Sequence, residues 1–214
     1  MYEKYGQFTD GKWHKSSNGE TYEVINPANE EVLGQASKAS PEDVNKALLS
    51  AQKGLEVWRK TPPWQRAYIL RRIADKMREK QDILAKWMTL EVGKPFAEAK
   101  GEVNGAADIY EWNAEETKRI YGQTVESRFE DTRVHVYYQP VGVVAALVPW
   151  NFPLVLSARK ISTALAAGCS VIVKPDVITP GVVMEQVEIC RECGVPPGVV
   201  NLLSGDPPLS LIHI

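Results

Sequence analysis

The sequence has few cysteines, no excess of either charge and no long hydrophobic run, and each shortage excludes a class of protein. Its 3 cysteines in 214 residues are too few for a disulfide framework. The 25 basic and 27 acidic side chains give a net charge of -2, which excludes general electrostatic binding to nucleic acid or to an anionic membrane. The longest apolar run, around Val141 to Trp150, is about half as long as a membrane span requires. With no signal peptide in view at the N-terminus, we expect a cytoplasmic protein that binds neither nucleic acid nor membrane.

Two of the cysteines, Cys190 and Cys193, form a Cys-x-x-Cys pair, a spacing also found in redox pairs and in half of a zinc site. A reactive thiol lies most often at a helix N-terminus, where the helix dipole favours the thiolate. This pair instead falls at the C-terminal end of a predicted helix, just before Gly194. No second pair of cysteines or histidines stands elsewhere in the sequence. We therefore expect buried, reduced thiols and no metal site.

The first 130 residues predict a hairpin followed by three helices. The turn sequence Ser16-Ser17-Asn18-Gly19 contains an Asn-Gly pair, which favours a hairpin between the stretches on its two sides. The spacing of apolar residues predicts a first helix from Pro41 to Trp58 and a second from about Pro62 to Gly93. A third helix is predicted from Pro95 to about Tyr121.

The basic residues of the second predicted helix allow two interpretations, a phosphate-binding face or a solvated face. The second helix carries six basic residues, namely Arg66, Arg71, Arg72, Lys76, Arg78 and Lys80. Acidic residues are mixed with them, so a solvated face is favoured over a phosphate-binding face.

In the third helix, Gly101 and Gly105 destabilise the helix interior by about 1 kcal/mol each relative to alanine, so we expect another element to approach closely there.

From Asp131 onward the sequence alternates between strands and helices. Residues 133–138 alternate in the manner of a half-buried strand, and residues 141–148 are apolar throughout, as in a strand that is covered on both faces. A helix, a strand, a helix and a strand follow with short connections, at 153–167, 170–174, 180–193 and 199–203. This order predicts an α/β fold with a parallel sheet, preceded by the N-terminal helical segment.

Ligands bind at the carboxyl ends of parallel strands, and three short segments stand there. They are Val148-Pro149-Trp150-Asn151, Lys174-Pro175-Asp176-Val177 and Ser204-Gly205-Asp206. The Asn151 amide either stabilises an oxyanion or caps the helix that follows, and the spacing alone leaves both open. The Lys174 ammonium either donates to ribose hydroxyls or phosphate or is simply solvated. No Gly-x-Gly-x-x-Gly follows either strand, so the common dinucleotide fingerprint is absent.

Several motifs resemble the aldehyde dehydrogenase superfamily in their order and spacing. They are Val148-Pro149-Trp150-Asn151-Phe152-Pro153-Leu154, Ala164-Leu165-Ala166-Ala167-Gly168-Cys169, Val173-Lys174-Pro175 and Gly198-Val199-Val200-Asn201. The segments Thr9-Asp10-Gly11-Lys12-Trp13 and Ile25-Asn26-Pro27-Ala28 are similar to its N-terminal part. The resemblance implies a Rossmann-like cofactor-binding fold, here with an incomplete sheet, and the oxidation of an aldehyde with NAD or NADP.

The resemblance also implies roles for single residues. Asn151 would bind the substrate oxyanion, Lys174 would contact the adenosine ribose of the cofactor, and residues 148–150 would line the cofactor cleft through their backbone. The other residues expected at the cofactor are Pro175, Asp176, Val177 and Gly205.

Two positions bear on the choice of cofactor and substrate. Many NAD-preferring members of the family carry glutamate where this chain has Val177, and that carboxylate repels the 2′-phosphate of NADP. Its absence implies use of NADP or of both cofactors. Arg159 falls where succinate-semialdehyde dehydrogenases hold the substrate carboxylate, a task that suits a fork-shaped guanidinium. Other members with small polar substrates also carry arginine there, so the substrate is either a semialdehyde acid or another small polar aldehyde.

The family's chemistry also needs a nucleophilic cysteine and a glutamate that activates water. Cys169 enters a buried strand and the other two cysteines end a helix, so none of them fits that role. We therefore expect the inactive N-terminal fragment of an aldehyde dehydrogenase whose complete protein is a homodimer or homotetramer. The alternative is a truncated, non-catalytic nucleotide-binding protein that partners full-length subunits.

These expectations divide the chain into four parts. Residues 1–130 hold the hairpin and helices of the cofactor-binding domain, 131–140 a strand of the oligomerisation region, 141–208 the truncated Rossmann-like core, and 209–214 a non-native tail.

Overall fold

The computed structural model describes residues 2–206, and the predicted tail lies outside them. The strands are β1 (Gln7–Thr9), β2 (Lys12–His14), β3 (Thr21–Ile25), β4 (Val32–Ser37), β5 (Gln123–Glu126), β6 (Arg133–Val136), β7 (Val143–Leu147), β8 (Ser170–Lys174) and β9 (Val200–Leu202). The helices are α1 (Pro41–Trp58), α2 (Pro63–Glu79), α3 (Gln81–Val92), α4 (Phe96–Thr117), α5 (Pro153–Ala166) and α6 (Pro180–Glu192). Of these helices, none is both long and apolar enough to cross a membrane.

A five-stranded sheet with the order β2-β1-β9-β8-β7 organises the fold. Strands β7, β8 and β9 are parallel, and their register places Leu147 opposite Lys174 and Val173 opposite Leu202. Helices α5 and α6 connect these strands. The predicted α/β fold with a parallel sheet is therefore confirmed.

The N-terminal strands pair differently from the prediction. β1 forms a hairpin with β2 around Gly11 and also pairs antiparallel with β9, so the N-terminus extends the main sheet. β3 pairs with β4. The predicted hairpin at residues 16–19 is wrong, because Ser16 and Ser17 there bind the buried carboxylate of Asp43 through their hydroxyl groups, at 2.8 and 2.6 Å.

The predicted second helix is two helices that meet at Lys80, which has a φ of -93° and a ψ of 19°. The third helix ends at Thr117, four residues before the predicted end. At Gly101 the prediction of close approach is wrong, since an added Cβ would meet no atom within 4 Å. At Gly105 the nearest atom to such a Cβ belongs to Val155 of α5, at 3.7 Å.

Two strands of the second half are more exposed than predicted. β6 pairs with β5 in a hairpin outside the main sheet, and all of its residues except Val136 are exposed, not half-buried. β7 is the edge strand of the five-stranded sheet in residues 2–206, and its residues Ala145 and Leu147 are exposed. Coverage of this strand on both faces is therefore not found, because Ala146 on one face is buried while Ala145 and Leu147 on the other face are exposed.

Candidate functional site

The carboxyl ends of β7, β8 and β9 meet at one edge of the sheet. The backbone N–H of Val148 donates to the carbonyl of Lys174 at 2.9 Å, and the N–H of Leu203 donates to the carbonyl of Val173 at 2.9 Å. The three segments that follow these strands therefore begin side by side, which is where ligands bind in parallel sheets.

Asn151 and Arg159 lie on one open groove of about 490 Å³, formed by α4, α5 and the segment before each. Both side chains are exposed, and Gly101 and Gly105 of α4 line the groove with them. Within residues 2–206, Arg159 has no carboxylate partner within 4.0 Å, and this includes Glu98 on the same groove. Its guanidinium is therefore available to an anion in the groove.

Helix α5, which follows Asn151, receives its N-terminal cap from another helix. Its own N-cap residue, Phe152, makes no side-chain hydrogen bond. Instead, one oxygen of the Glu102 carboxylate on α4 accepts from the backbone N–H groups of Leu154 at 3.0 Å and Val155 at 3.2 Å. The interpretation of Asn151 as a helix cap is therefore wrong, and its amide is left for another partner.

Lys94 connects this cap to the backbone of Asn151. Its ammonium forms an ion pair with Glu102, lies 4.1 Å from the ring centroid of Phe152 and donates to the carbonyl of Asn151 at 3.4 Å. The Lys94 and Glu102 side chains are only 10% and 2% exposed. Each of these two buried charges compensates the other, so the two side chains stay together. The pair therefore fixes the position of the groups that it binds, the Asn151 carbonyl and the first N–H groups of α5.

Lys174 is half-buried at the end of β8. Burial lowers the pKa of its ammonium, and the carboxylates of Asp176 and Asp206 oppose this shift. Its Nζ donates to the carbonyl of Pro175 at 3.3 Å, and an ammonium has three protons to donate. Lys174 is not among the residues that line the Asn151 groove, so the two side chains serve different parts of this edge.

Helix α6 is capped in the same way as α5, by Glu91 of α3. The fully buried carboxylate accepts from the N–H of Gly181 at 2.6 Å, from the N–H of Val182 at 3.2 Å and from the Tyr2 hydroxyl at 2.7 Å. Burial raises the pKa of Glu91 to about 7, although these three donors act to lower it.

These two caps limit how a nicotinamide nucleotide fits the edge. In many nucleotide-binding folds the pyrophosphate lies at a helix N-terminus and accepts from its free N–H groups. In α5 and α6 those groups already bind Glu102 and Glu91, so they are not available to a pyrophosphate. The ammonium of Lys174, in contrast, suits ribose hydroxyls. The described residues thus fit the adenosine ribose, but they do not fit a pyrophosphate on either crossover helix, in agreement with the missing glycine fingerprint.

The other residues predicted at the cofactor lie on the same edge with different exposures. Pro149 and Trp150 are exposed, Val148, Pro175 and Gly205 are buried, and Asp176 and Val177 are half-buried. At Gly205 an added Cβ would lie 3.1 Å from the backbone nitrogen of Ala39, so glycine permits this close packing.

All three cysteines are free and buried, as predicted. Burial raises the pKa of the Cys190 thiol to about 12 and also raises the pKa of Cys193. A nucleophilic cysteine needs the opposite shift. In the described part of the chain, no group of three or more His, Cys, Asp and Glu side chains could hold a metal ion.

Sequence reasoning missed the three charged residues that organise this edge, Lys94, Glu91 and Glu102. The two glutamates lie inside predicted helices, where nothing in the local pattern distinguishes a buried acid from a solvated one. Their partners are 90 and 52 residues away along the chain, so only the folded topology identifies them.

The sequence of this chain is similar to those of known aldehyde dehydrogenases. A family model described as "Aldehyde dehydrogenase family" matches residues 13–210. The chain is 45% identical over 196 residues to the NADP(+) succinate-semialdehyde dehydrogenase GabD of Escherichia coli (strain K12), which covers 92% of this chain and 41% of that protein. It is 44% identical over 198 residues to the glutarate-semialdehyde dehydrogenase of Pseudomonas aeruginosa, with the same two coverages.

Among solved structures, the succinate-semialdehyde dehydrogenase from Burkholderia pseudomallei matches with a TM-score of 0.94 and 40% identity. The match covers 96% of this chain and 42% of that one. The chain thus spans less than half the length of the relatives that it matches. Since the family model matches nearly all of its residues, the chain belongs to the aldehyde dehydrogenase family.

Proposed function

We propose that this chain forms the cofactor-binding and substrate-orienting part of an NAD(P)-dependent aldehyde dehydrogenase that acts on a semialdehyde acid. The observation that carries the proposal is the groove that Asn151 and Arg159 share. The Arg159 guanidinium in this groove forms no ion pair with a carboxylate of the described residues. The two curated relatives support it, because both are named for the semialdehyde of a dicarboxylic acid.

In this proposal Asn151 stabilises the charge that develops on the aldehyde oxygen when the carbonyl carbon is attacked. Its side-chain amide donates to that oxygen, while Lys94 and Glu102 hold the backbone around it. Loss of one such donor typically slows catalysis about 10² to 10³-fold.

Arg159 binds the carboxylate at the other end of the substrate. A guanidinium offers two parallel N–H donors to the two carboxylate oxygens, which fixes the orientation of the substrate as well as its affinity. A neutral aldehyde of the same length lacks this contact and gains nothing from Arg159.

The cofactor would be NAD or NADP, which would supply the acceptor for the hydride from the aldehyde carbon. Lys174 would hold its adenosine ribose through the ammonium group. Val177, half-buried three residues later, brings no negative charge toward the 2′ position, so the 2′-phosphate of NADP is accepted.

The buried cysteines support a further part of the proposal, namely that the 214-residue chain alone forms no NADH or NADPH from an aldehyde. Burial raises the pKa of the Cys190 thiol, and a thiol with a raised pKa is a poor nucleophile.

The exposed β5–β6 hairpin supports self-association of the protein as a homodimer or homotetramer.

Titration of succinate, the acid formed from succinate semialdehyde, into the purified chain tests the substrate assignment. We expect Arg159→Leu to weaken succinate binding about tenfold or more, the loss typical of a charge-assisted contact, in isothermal titration calorimetry. The matched control is Arg128→Leu, because Arg128 is also exposed but lies outside the groove. Equal succinate affinity in the two variants would contradict the proposal.

The same instrument tests the cofactor assignment. Lys174→Met should weaken NAD and NADP alike, whereas Val177→Glu should weaken NADP and leave NAD nearly unchanged. A wild-type chain that binds NAD but not NADP would refute the role given to Val177. Aldehyde-dependent formation of NADPH by the purified chain would refute its proposed inactivity.

A further inference from the structure

A cavity of about 450 Å³ lies at the opposite edge of the sheet, where β7 and β8 begin. The loop between α1 and α2, the start of α2 and the segments before β7 and β8 form its walls. Three of the lining residues are cationic, namely Arg59, Lys60 and Arg66, and none is acidic. This cavity shares no residue with the Asn151 groove.

Arg66 is the unusual member of this set, because its side chain is buried where a solvated face was predicted. The residue is only 7% exposed. One guanidinium nitrogen, Nη1, donates to the carbonyl of Thr61 at 3.1 Å, and Nε has no hydrogen-bond partner. A guanidinium has five N–H donors, so most of its donor capacity is unused in the described structure.

Within the described residues, the positive charge of Arg66 is also uncompensated. Among residues 2–206, no carboxylate lies within 4.0 Å of its guanidinium. Arg71 and Arg78 on the same helix differ, since each forms ion pairs with acidic residues of α4. Burial lowers the pKa of Arg66, which reflects the unfavourable loss of water around an unpaired charge.

The surrounding backbone holds the guanidinium in place. Gly168 has a φ of +86° and lies in the turn before β8, where an added Cβ would be 2.9 Å from Nη1 of Arg66 and 3.0 Å from the Pro140 ring. The turn therefore packs directly against the charged group. A guanidinium fixed in this way loses little entropy when it binds a ligand.

Two further cations stand at the rim of the cavity. Lys60 is exposed, and Arg59 is nearly half-exposed with a single long ion pair to Glu56, at 3.7 Å. A buried guanidinium with unused donors and two exposed cations at the rim match the charge and the several acceptor oxygens of a phosphate group.

We propose that this cavity is a binding site for a phosphate group, with Arg66 as its main ligand and Arg59 and Lys60 at its rim. The site is independent of the function proposed above, since it uses none of the residues of the Asn151 groove or of the Lys174 segment. Free inorganic phosphate and the phosphate of a small organic ester share this chemistry.

Thermal unfolding of the purified chain at constant ionic strength tests the proposal, with inorganic phosphate, glycerol 3-phosphate and chloride as separate additions. We expect both phosphates, but not chloride, to raise the midpoint temperature with a saturable dependence on concentration. Tighter binding of the ester identifies an organic phosphate as the ligand, and tighter binding of the free ion identifies inorganic phosphate.

Arg66→Met should abolish the stabilisation by phosphate. Its matched control is Arg72→Met on the same helix, because Arg72 also lacks an ion pair in the described residues but is exposed and lies outside the cavity. If Arg66→Met does not fold, Lys60→Gln provides the test and should weaken phosphate binding severalfold. Phosphate that stabilises the wild-type chain no more than chloride, or that binds the Arg66 or Lys60 variant as tightly as wild type, would overturn the proposal.

Discussion

Gly54 and Gly101 both lie inside helices, where glycine is less favourable than alanine by about 1 kcal/mol, but their surroundings differ. A Cβ at Gly101 would point into the open groove with no atom within 4 Å. A Cβ at Gly54 would lie 2.1 Å from the backbone carbonyl carbon of Gly198, because α1 touches the turn before β9 there. The same substitution should therefore have opposite effects at the two positions.

We expect Gly101→Ala to raise the free energy of unfolding by roughly 0.5–1 kcal/mol, since it reduces the entropy of the unfolded chain without a clash. Gly54→Ala should lower the same quantity by about 1–3 kcal/mol or more, because the backbone of α1 or of the turn must move. Urea unfolding followed by circular dichroism measures both. Destabilisation by Gly101→Ala would show that another element does fill that part of the groove.

At the scale of the element, the start of α5 depends on two residues that α5 does not contain. Glu102 binds the first free N–H groups of the helix, and Lys94 compensates the charge of Glu102. The cap, the buried ion pair and the backbone of Asn151 form one unit, so its members should not contribute independently.

A double-mutant cycle on Lys94 and Glu102 tests this coupling. Lys94→Met leaves a buried carboxylate without its cation and should lower the free energy of unfolding by about 3–5 kcal/mol. Combined with Glu102→Gln, the loss should be smaller than the sum of the single losses by about 0.5–3 kcal/mol. The control is Lys100→Met, which breaks an exposed pair with Asp82 and should change stability by about 1 kcal/mol or less. Additive effects in urea unfolding would mean that Lys94 and Glu102 act separately.

Several elements could be predicted from the sequence because their signals are local. Pro153 and Gly168 mark the ends of α5, and the apolar runs on either side mark β7 and β8. The end of α2 at Lys80 could not be predicted, since the helical spacing of apolar residues continues through it with no glycine or proline. The pairing of β1 with β9 could not be predicted either, because no local pattern specifies a partner at the other end of the chain.

At the scale of the whole molecule, the same distinction applies to the candidate site. Parallel topology alone places the segments after Leu147 and Lys174 side by side, so the position of the site was predictable. The groove at Asn151 was not, because it depends on α4, a helix that the sequence places far from the strands. The buried caps Glu91 and Glu102 depend on the same long-range packing.

Glu91 links three distant parts of the molecule, namely Tyr2 near the N-terminus, α3 and the start of α6, and its pKa makes that link sensitive to pH. Burial raises this pKa from the ordinary value of 4.5 to about 7, so between these values the folded state binds more protons than the unfolded state. The contribution of Glu91 to stability is therefore fully present below about pH 4.5 and is lost as the pH rises through about 7. We expect a decrease of the order of 3 kcal/mol in the free energy of unfolding from this group.

Comparison of the wild-type chain with Glu91→Gln isolates this term. The difference in the free energy of unfolding between the two should change across this pH range, because glutamine does not titrate. Glu3→Gln, at an exposed glutamate near the same terminus, is the matched control for the loss of a carboxylate. A pH-independent difference for Glu91→Gln would mean that the carboxylate keeps its ordinary pKa in the folded protein.

The position of β1 beside β9 has a consequence for biosynthesis. The side chain of Gln7 donates to the backbone of Ser204, a partner 197 residues later in the chain. At about 5–20 residues per second, the ribosome needs roughly 10–40 s to make that partner after the first strand has emerged. The β1 segment of the nascent polypeptide therefore waits, unpaired and with Phe8 accessible, until Ser204 has been made, which makes it a ready client for chaperones that bind extended apolar segments.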